Sequence, residues 1–387
     1  MKISNKLMKI LMTVALTSAL LPAAAASAVQ QDKPGVTAST DQIMVKVKPG
    51  KAGTDVAAKH GAKLKKNLTQ AGYQVLKVPT GQSAEALLAE LQADPAVETA
   101  ELDAVYSVNF IPNDPSFVNQ WHLTKIQAPQ AWDYALGTGV TIAIIDTGVD
   151  IQHPDLSSKI VAGYDFVNND TDADDDQGHG THVAGIAAAS GNNGLNGSGV
   201  APNARIMPVK VLNYSGSGYT SDIISGLFFA ADNGAKVINL SMGGGAYSSA
   251  FQNAVNYAWN KGAVIVAAAG NNGNTTVQYP AGYNNVFSVA CTTSTDAKCS
   301  FSNYGTWVDI AAPGLNIYST ANGGGMTTMS GTSMATPIVS GVAALTIERF
   351  GYSVSPATVV DRICSSADKI INLGTNCGRV NAYRSVQ

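Results

Sequence analysis

A chain of 387 residues and 39.9 kDa is long enough for two or three domain-sized units and one large core. Hydrophobic residues make up 45% and charged residues 13%, with a formal net charge of -3, a balance that excludes a disordered acidic tail and a basic nucleic-acid binder. The 38 glycines and 15 prolines are scattered rather than periodic, and four cysteines are too few for a disulfide-built scaffold.

Met1 to Ala28 carries Lys2, Lys6 and Lys9, then an apolar run from Ile10 to Leu21, then Ala26-Ser27-Ala28. Positive charge, apolar stretch and small residues in that order predict a secretory signal cut near Ala28, hence an extracellular, disulfide-permissive setting. Twelve helical residues span about 18 Å, short of a bilayer core of roughly 30 Å, so the run is too short for an anchor. No later segment reaches eighteen consecutive apolar residues, and the mature protein is expected off the membrane.

Residues 29–109 hold nine lysines, no arginine and nine acids, whereas residues 110–387 hold twelve basic and eighteen acidic residues. In the first segment, apolar spacing predicts strand 43–48, helix 53–60, strand 73–78, helix 83–92 and strand 97–108, a small α+β module. Asn113-Asp114-Pro115 reads as a turn just beyond it, which places an exposed connection near Asn109. In the second segment, mainly apolar runs at 141–146, 206–212, 236–241, 264–269, 286–291 and 308–311 read as strands. They alternate with helical patterns at 179–189, 221–233, 249–261, 333–349 and 356–365. Strands apolar on both faces and separated by helices predict an α/β fold, a mostly parallel sheet between two helical layers. Ligands of such sheets sit at the carboxyl ends of the strands.

Chemistry-bearing residues gather at those ends. Asp146 closes the run TIAIID; His179 stands in HGTHVAG between two glycines; Ser333 stands in GTSMATP at the start of a helical run; Asn271 follows the strand VIVAAAG. Each has an ordinary explanation by itself, as a cap, a buried structural histidine or a turn asparagine. Together they supply an orienting carboxylate, a base, a nucleophile and an oxyanion donor. The order Asp, His, Ser excludes the α/β-hydrolase arrangement, and no complete G-x-S-x-G elbow occurs. A zinc hydrolase built on His179 and His182 is the competing reading, but their i, i+3 spacing lacks the glutamate of the metalloprotease motif. A catalytically dead calcium-binding module is a third.

Two further features stand outside that quartet. Six aspartates fall between Asp165 and Asp176, and their mutual repulsion calls for solvent or a hard cation. The four cysteines allow three connectivities, of which Cys291 with Cys299 and Cys364 with Cys377 is the simplest.

DTGV at Asp146, HGTHVAG at His179, AAAGN ending at Asn271 and GTSMATP around Ser333 resemble the subtilisin family of serine proteases. IQAPQAWD, VLNYSGSG, GAKVINLSMGG and AVNYAWNKG make the likeness, from about Phe110 to Asn381, closest to the thermitase branch. Ile338 departs from the histidine usual after the proline of GTSMATP. The resemblance implies a secreted serine endopeptidase with the subtilisin-like three-layer fold: Ser333 as nucleophile, His179 as base, Asp146 orienting it, and Asn271 with the Ser333 amide binding the oxyanion. It implies that extended peptide and protein substrates pair with Gly216, Ser217 and Gly218 on one side and Ser241, Met242 and Gly243 on the other. Ala268 and Gly270 would complete an uncharged first pocket, giving broad specificity with an apolar preference. It implies structural calcium at Asp114, Asp155 and Asn193 with the carbonyls of Ser190, Leu195 and Gly197. A weaker site would use Asp165, Asn168, Asp170, Asp172 and Asp174. It further implies that residues 29–109 are an inhibitory, ferredoxin-like propeptide, that the monomeric enzyme cuts it off near Asn109 with Tyr106 in an apolar pocket, and that residues 110–387 are the catalytic domain.

Overall fold

The computed structural model describes residues 37–105, 111–370 and 372–387; the expected signal segment, Tyr106, Asn109 and Phe110 lie outside them. The chain divides into two compact units, Met1–Ser107 and Val108–Gln387.

The first unit runs β1 (Thr37–Val47), α1 (Gly53–Lys59), β2 (Lys63–Leu68), β3 (Tyr73–Lys77), α2 (Ala84–Ala93) and β4 (Val97–Val105). The strands form an antiparallel sheet in the order β2-β3-β1-β4, the ferredoxin-like arrangement. Alternate residues of the central strands, Ile43, Val45 and Leu76, are fully buried against Leu87 and Leu91 of α2. The helix starts where Ser83 accepts the amide of Ala86 at 3.1 Å. Strand β2 has no counterpart in the predicted elements. Its sequence, KLKKNL, lacks apolar alternation because it is an edge strand whose lysines face solvent and discourage further pairing.

The second unit opens with α3 (Trp121–Lys125) and α4 (Ala128–Ala131), followed by β5 (Thr141–Asp146), β6 (Tyr164–Asp165), α5 (His179–Ala188), β7 (Arg205–Lys210), α6 (Thr220–Asp232), β8 (Val237–Leu240), α7 (Ser249–Asn260), β9 (Val264–Ala268), β10 (Val286–Thr292) and β11 (Ile310–Pro313). A hairpin of β12 (Ile317–Thr320) and β13 (Met326–Met329) precedes α8 (Thr332–Phe350), α9 (Pro356–Ser366) and α10 (Ala382–Val386). Seven strands form a wholly parallel sheet in the order β11-β10-β9-β8-β5-β7-β6. The predicted α/β class and all six predicted strands are present. The pieces not predicted, β6, β12, β13 and the five-residue or shorter helices, are too short to display a period.

Period-two alternation within β5 builds both cores. Ile142 and Ile144 pack with Val183 and Ile186 of α5 and Val339 and Val342 of α8, while Ala143 and Ile145 pack with Leu227 of α6 and Val255 of α7. Chain progression reverses direction at β5, with β7 on one side and β8 on the other, so the carboxyl end of β5 is the crevice position of an open α/β sheet. Asp146 is its last residue.

Helix α8 has 19 residues, of which 15 are buried. Ile338, the departure from the family pattern, is fully buried in the apolar core, where it needs no polar partner. Cys291 pairs with Cys299 and Cys364 with Cys377, the simplest of the three connectivities. No described helix is long and apolar enough to cross a membrane.

Candidate active site

Asp146 is completely buried, and its Oδ1 accepts both the Thr147 amide at 2.8 Å and His179 Nδ1 at 2.7 Å. The bond fixes the imidazole with Nδ1 protonated when neutral, leaving Nε2 as the basic nitrogen. Burial alone would push the His179 imidazole down; the Asp146 charge and hydrogen bond, helped by the Asp175 charge, more than reverse it and hold it above its ordinary value.

His182 goes elsewhere. Its Nε2 faces the carbonyls of Ile317 and Thr327 at 3.1 and 3.2 Å, and burial lowers it to about 4. Among the described residues no group of three or more His, Cys, Asp or Glu side chains is arranged to hold a metal, so the zinc reading gains no ligand set.

Ser333 is the second residue of α8, half-buried, with its amide among the free donors of the helix N-terminus. Its hydroxyl donates to the Ser241 carbonyl at 2.9 Å, and no hydrogen bond joins it to His179. Pro337, four residues on, has no amide to give to the Ser333 carbonyl. The Ser241 hydroxyl donates to that carbonyl instead, at 2.8 Å, and Asn239 Nδ2 donates to the same hydroxyl at 2.9 Å. The proline thus leaves a gap in the helix ladder that β8 and its following residue close, and this ties the Ser333 backbone to the cleft wall.

Asn271 Oδ1 accepts the amide and the hydroxyl of Thr332, both at 2.9 Å. With its oxygen so engaged, the side-chain NH2 is directed to the same recess as the Ser333 amide; both nitrogens lie within 3.6 Å of the point where a Cβ on Gly331 would stand. Met242, Gly243, Ala268, Gly270, Asn271 and Ser333 line a cavity of about 240 Å3 beside them. A neighbouring cavity of about 320 Å3 is lined by Gly216, Ser217 and Gly218 of one segment and Met242 and Gly243 of the other, with Leu212 and Ile223. The two backbone segments expected to flank a substrate therefore face one groove. Ser241 itself, 2% exposed, supports the groove from behind.

Asp155 is fully buried; its Oδ1 takes Asn193 Nδ2 at 3.1 Å, while its Oδ2 has no hydrogen-bond partner. Asp114 collects the amides of Asn192, Asn193 and Gly194 at 2.6 to 3.1 Å, which curls the loop through Ser190, Leu195 and Gly197 around it. An orphaned, buried carboxylate oxygen among oxygen donors fits a hard cation such as calcium. The acidic loop is arranged differently. Asp165 accepts the amides of Val167 and Asn168 and the Asn168 side chain, Asp170 accepts the Asp172 amide, and Asp174 accepts the Ile151 amide. Its repulsion is further offset by buried Lys210, which donates to Asp176 at 2.6 Å.

Asp175 is the residue the motifs did not single out. It is 5% exposed and accepts five hydrogen bonds, from the Thr147 hydroxyl, from the amides of Gln177, Gly178 and Thr181, and from the Thr181 hydroxyl. Burial would raise its carboxyl, but these bonds outweigh burial and lower it. It builds the turn that presents His179, and its only sequence signal, nearness to HGTHVAG, was hidden by the run of aspartates around it.

With this geometry stand the comparisons. Residues 137–382 match the subtilase family and residues 24–103 the fervidolysin N-terminal prodomain. The chain belongs to the subtilase family and is a serine endopeptidase. Thermitase of Thermoactinomyces vulgaris is 54% identical over 281 residues, 72% of this chain and 100% of thermitase. The thermophilic serine proteinase of Bacillus sp. (strain AK1) is 47% identical over 81% of this chain and 78% of its own. A solved protease from Pseudoalteromonas arctica PAMC 21717 is 37% identical and superposes with a TM-score of 0.67, covering 71% of this chain and 98% of its own. The chain stands near the thermitase branch.

Proposed function

We propose that this enzyme is made as a secreted zymogen and hydrolyses peptide bonds through Ser333, His179 and Asp146. Ser333 Oγ turns from the Ser241 carbonyl to attack the substrate carbonyl. His179 Nε2 takes the hydroxyl proton and returns it to the leaving amine. Asp146 holds the tautomer and stabilises the imidazolium. Asn271 Nδ2 and the Ser333 amide receive the developing oxyanion, where one donor contributes about 3 kcal/mol, a figure known for subtilisin itself rather than deduced from this geometry. The observation that carries the reading is the 2.7 Å bond between His179 Nδ1 and buried Asp146, which leaves the opposite nitrogen basic and open. Unlinked hydroxyl and imidazole are ordinary in a site without substrate, where such bonds are often long until the complex forms.

Backbone pairing with the Gly216–Gly218 and Ser241–Gly243 segments reads main chain more than side chain, and the uncharged walls at Ala268 and Gly270 suit apolar residues; both support broad endopeptidase specificity. Residues 1–28 are assigned to export, 29–109 to a propeptide and inhibitor, and 110–387 to the catalytic domain. Asp114, Asp155 and Asn193, with the carbonyls of Ser190, Leu195 and Gly197, would hold calcium, which supplies charge neutralisation to the loop after α5 and no step of the reaction. The acidic loop is at most a second, weaker place for it, because Asn168 brings no charge and the loop's aspartates are not gathered into a metal-holding group. A fluorophosphonate probe tests the centre of the proposal. It should label Ser333 in the mature enzyme and leave Ser333→Ala unlabelled; labelling elsewhere, or hydrolysis by Ser333→Ala, overturns it.

A further inference from the structure

We propose that the Cys291–Cys299 disulfide positions both halves of the oxyanion-binding recess, a role that rests on those proposed for Ser333 and Asn271. Cys291 is fully buried near the carboxyl end of β10, and Cys299 is 2% exposed. Two routes lead from the bridge to the recess.

The first runs through Gly314. A Cβ there would stand 2.7 Å from Cys291 Sγ and 2.7 Å from the Gly331 carbonyl oxygen, so the glycine is pinched between the disulfide and the turn that opens α8. Its amide donates to Thr292 at 3.0 Å, and its carbonyl accepts the Gly331 amide at 2.8 Å. Gly331 is two residues before Ser333. The disulfide sulfur is therefore one glycine away from the backbone that aims the Ser333 amide.

The second runs through the loop that the bridge closes. Cys299 N donates to the Cys291 carbonyl at 3.0 Å, Ser302 N to the Cys299 carbonyl at 3.0 Å, and Cys291 N to the Ser302 hydroxyl at 2.9 Å. The next residue, Asn303, is fully buried and grips the segment carrying Asn271. Its amide and side chain donate to Gly270 and Ala269, and its Oδ1 accepts the amides of Asn272 and Asn274. One covalent link thus backs both donors. The other bridge, Cys364–Cys377, leads to α9 and, through the Cys377 amide, to Asp309; its loop reaches the Asn271 segment only at a remove, through Gly374 and Asn376 to residues 304–306, and among the described residues it makes no hydrogen bond to the Gly314–Gly331 turn that aims the Ser333 amide.

Because the two donors must meet one oxygen, loosening their common support should slow chemistry without weakening substrate binding; a misplacement near 1 Å costs about 100-fold. Peptide amide hydrolysis by the mature enzyme is compared among Cys291→Ala/Cys299→Ala, Cys364→Ala/Cys377→Ala and the wild type, per folded molecule and well below each unfolding midpoint. The expected result is a kcat loss of roughly tenfold or more with KM within about twofold for the first pair, and a lowered midpoint with normal kcat for the second. In the Asn271→Ala background the first pair should cost markedly less, since half of what it positions is already gone. Unchanged kcat in the first pair, an equal loss in the second, or full additivity with Asn271→Ala would overturn the inference. If the first pair does not fold, Gly314→Ala with the bridge intact replaces it; its Cβ must displace Gly331, and an unaltered kcat in folded protein is equally fatal. Ser333→Ala separates the two claims: turnover by that variant defeats the catalytic reading, whereas an inactive Ser333→Ala beside a fully active bridge variant defeats only the positioning role.

Discussion

At the scale of single residues, the decisive feature is a carboxylate with no solvent facing a histidine that has some. In the proposed mechanism the active form of His179 is the neutral one, and Asp146 holds its titration above the ordinary imidazole range, so kcat/KM should fall as pH drops through that raised value. Asp146→Asn removes the charge that raises it. The acid limb should then move to lower pH while kcat drops by about four orders of magnitude; a limb that stays put in the pH–rate profile would assign the titration to another group. Asn271→Ala should cost about 100- to 1000-fold in kcat with KM nearly constant, measured on a small peptide amide. Asp146, His179, Asn271 and Ser333 could be picked out as candidates from the sequence, because each stands in or beside a glycine-containing motif at a strand end or helix start. Asp175 and the Ser241–Ser333 exchange could not. Hydrogen bonds between residues 92 positions apart leave no local trace in a sequence.

Secondary elements were readable where burial imposes a period and silent where it does not. Six strands of the parallel sheet announced themselves as apolar runs because both faces are covered. The lysine-rich β2 and the β12–β13 hairpin satisfy their backbones at edges and carry no such pattern. The loop after α5 has its own physics. Lys159, almost completely buried, donates to the carbonyl of Ala188 at 2.5 Å and to that of Pro202, closing the helix end from which the Asp155–Asn193 cluster hangs. If calcium fills that cluster, chelation should lower the unfolding midpoint and leave kcat at 25 °C unchanged. Calcium at 100 times its Kd would contribute about 2.7 kcal/mol, and a midpoint insensitive to chelator and to added calcium would reject the site.

For the molecule as a whole, two predictions follow from what is buried and what is severed. His122 is inaccessible, both its ring nitrogens lack partners, and burial with the nearby His182 lowers it to about 3; His182 lies at about 4. Unfolded, both would titrate near 6.5. Below that pH the unfolded chain takes up protons the native state refuses, so stability is full above about 6.5 and declines as pH falls toward 4 and 3, by up to about 1.4 kcal/mol per pH unit per histidine. Urea midpoints of Ser333→Ala, used to prevent self-digestion, should show that decline, and His122→Phe should flatten it. A slope untouched by that substitution would place the acid sensitivity elsewhere. The second prediction concerns maturation: purified Ser333→Ala precursor should stay full length, and loss of about 80 residues without added protease would show that another enzyme does the cutting.

Ser333, the proposed nucleophile, is borne on the first turn of a helix that is almost wholly interior, with 15 of 19 residues sealed from water. Here the serine cannot keep its aim once the middle of the protein softens, so turnover should vanish together with the tertiary near-ultraviolet signal.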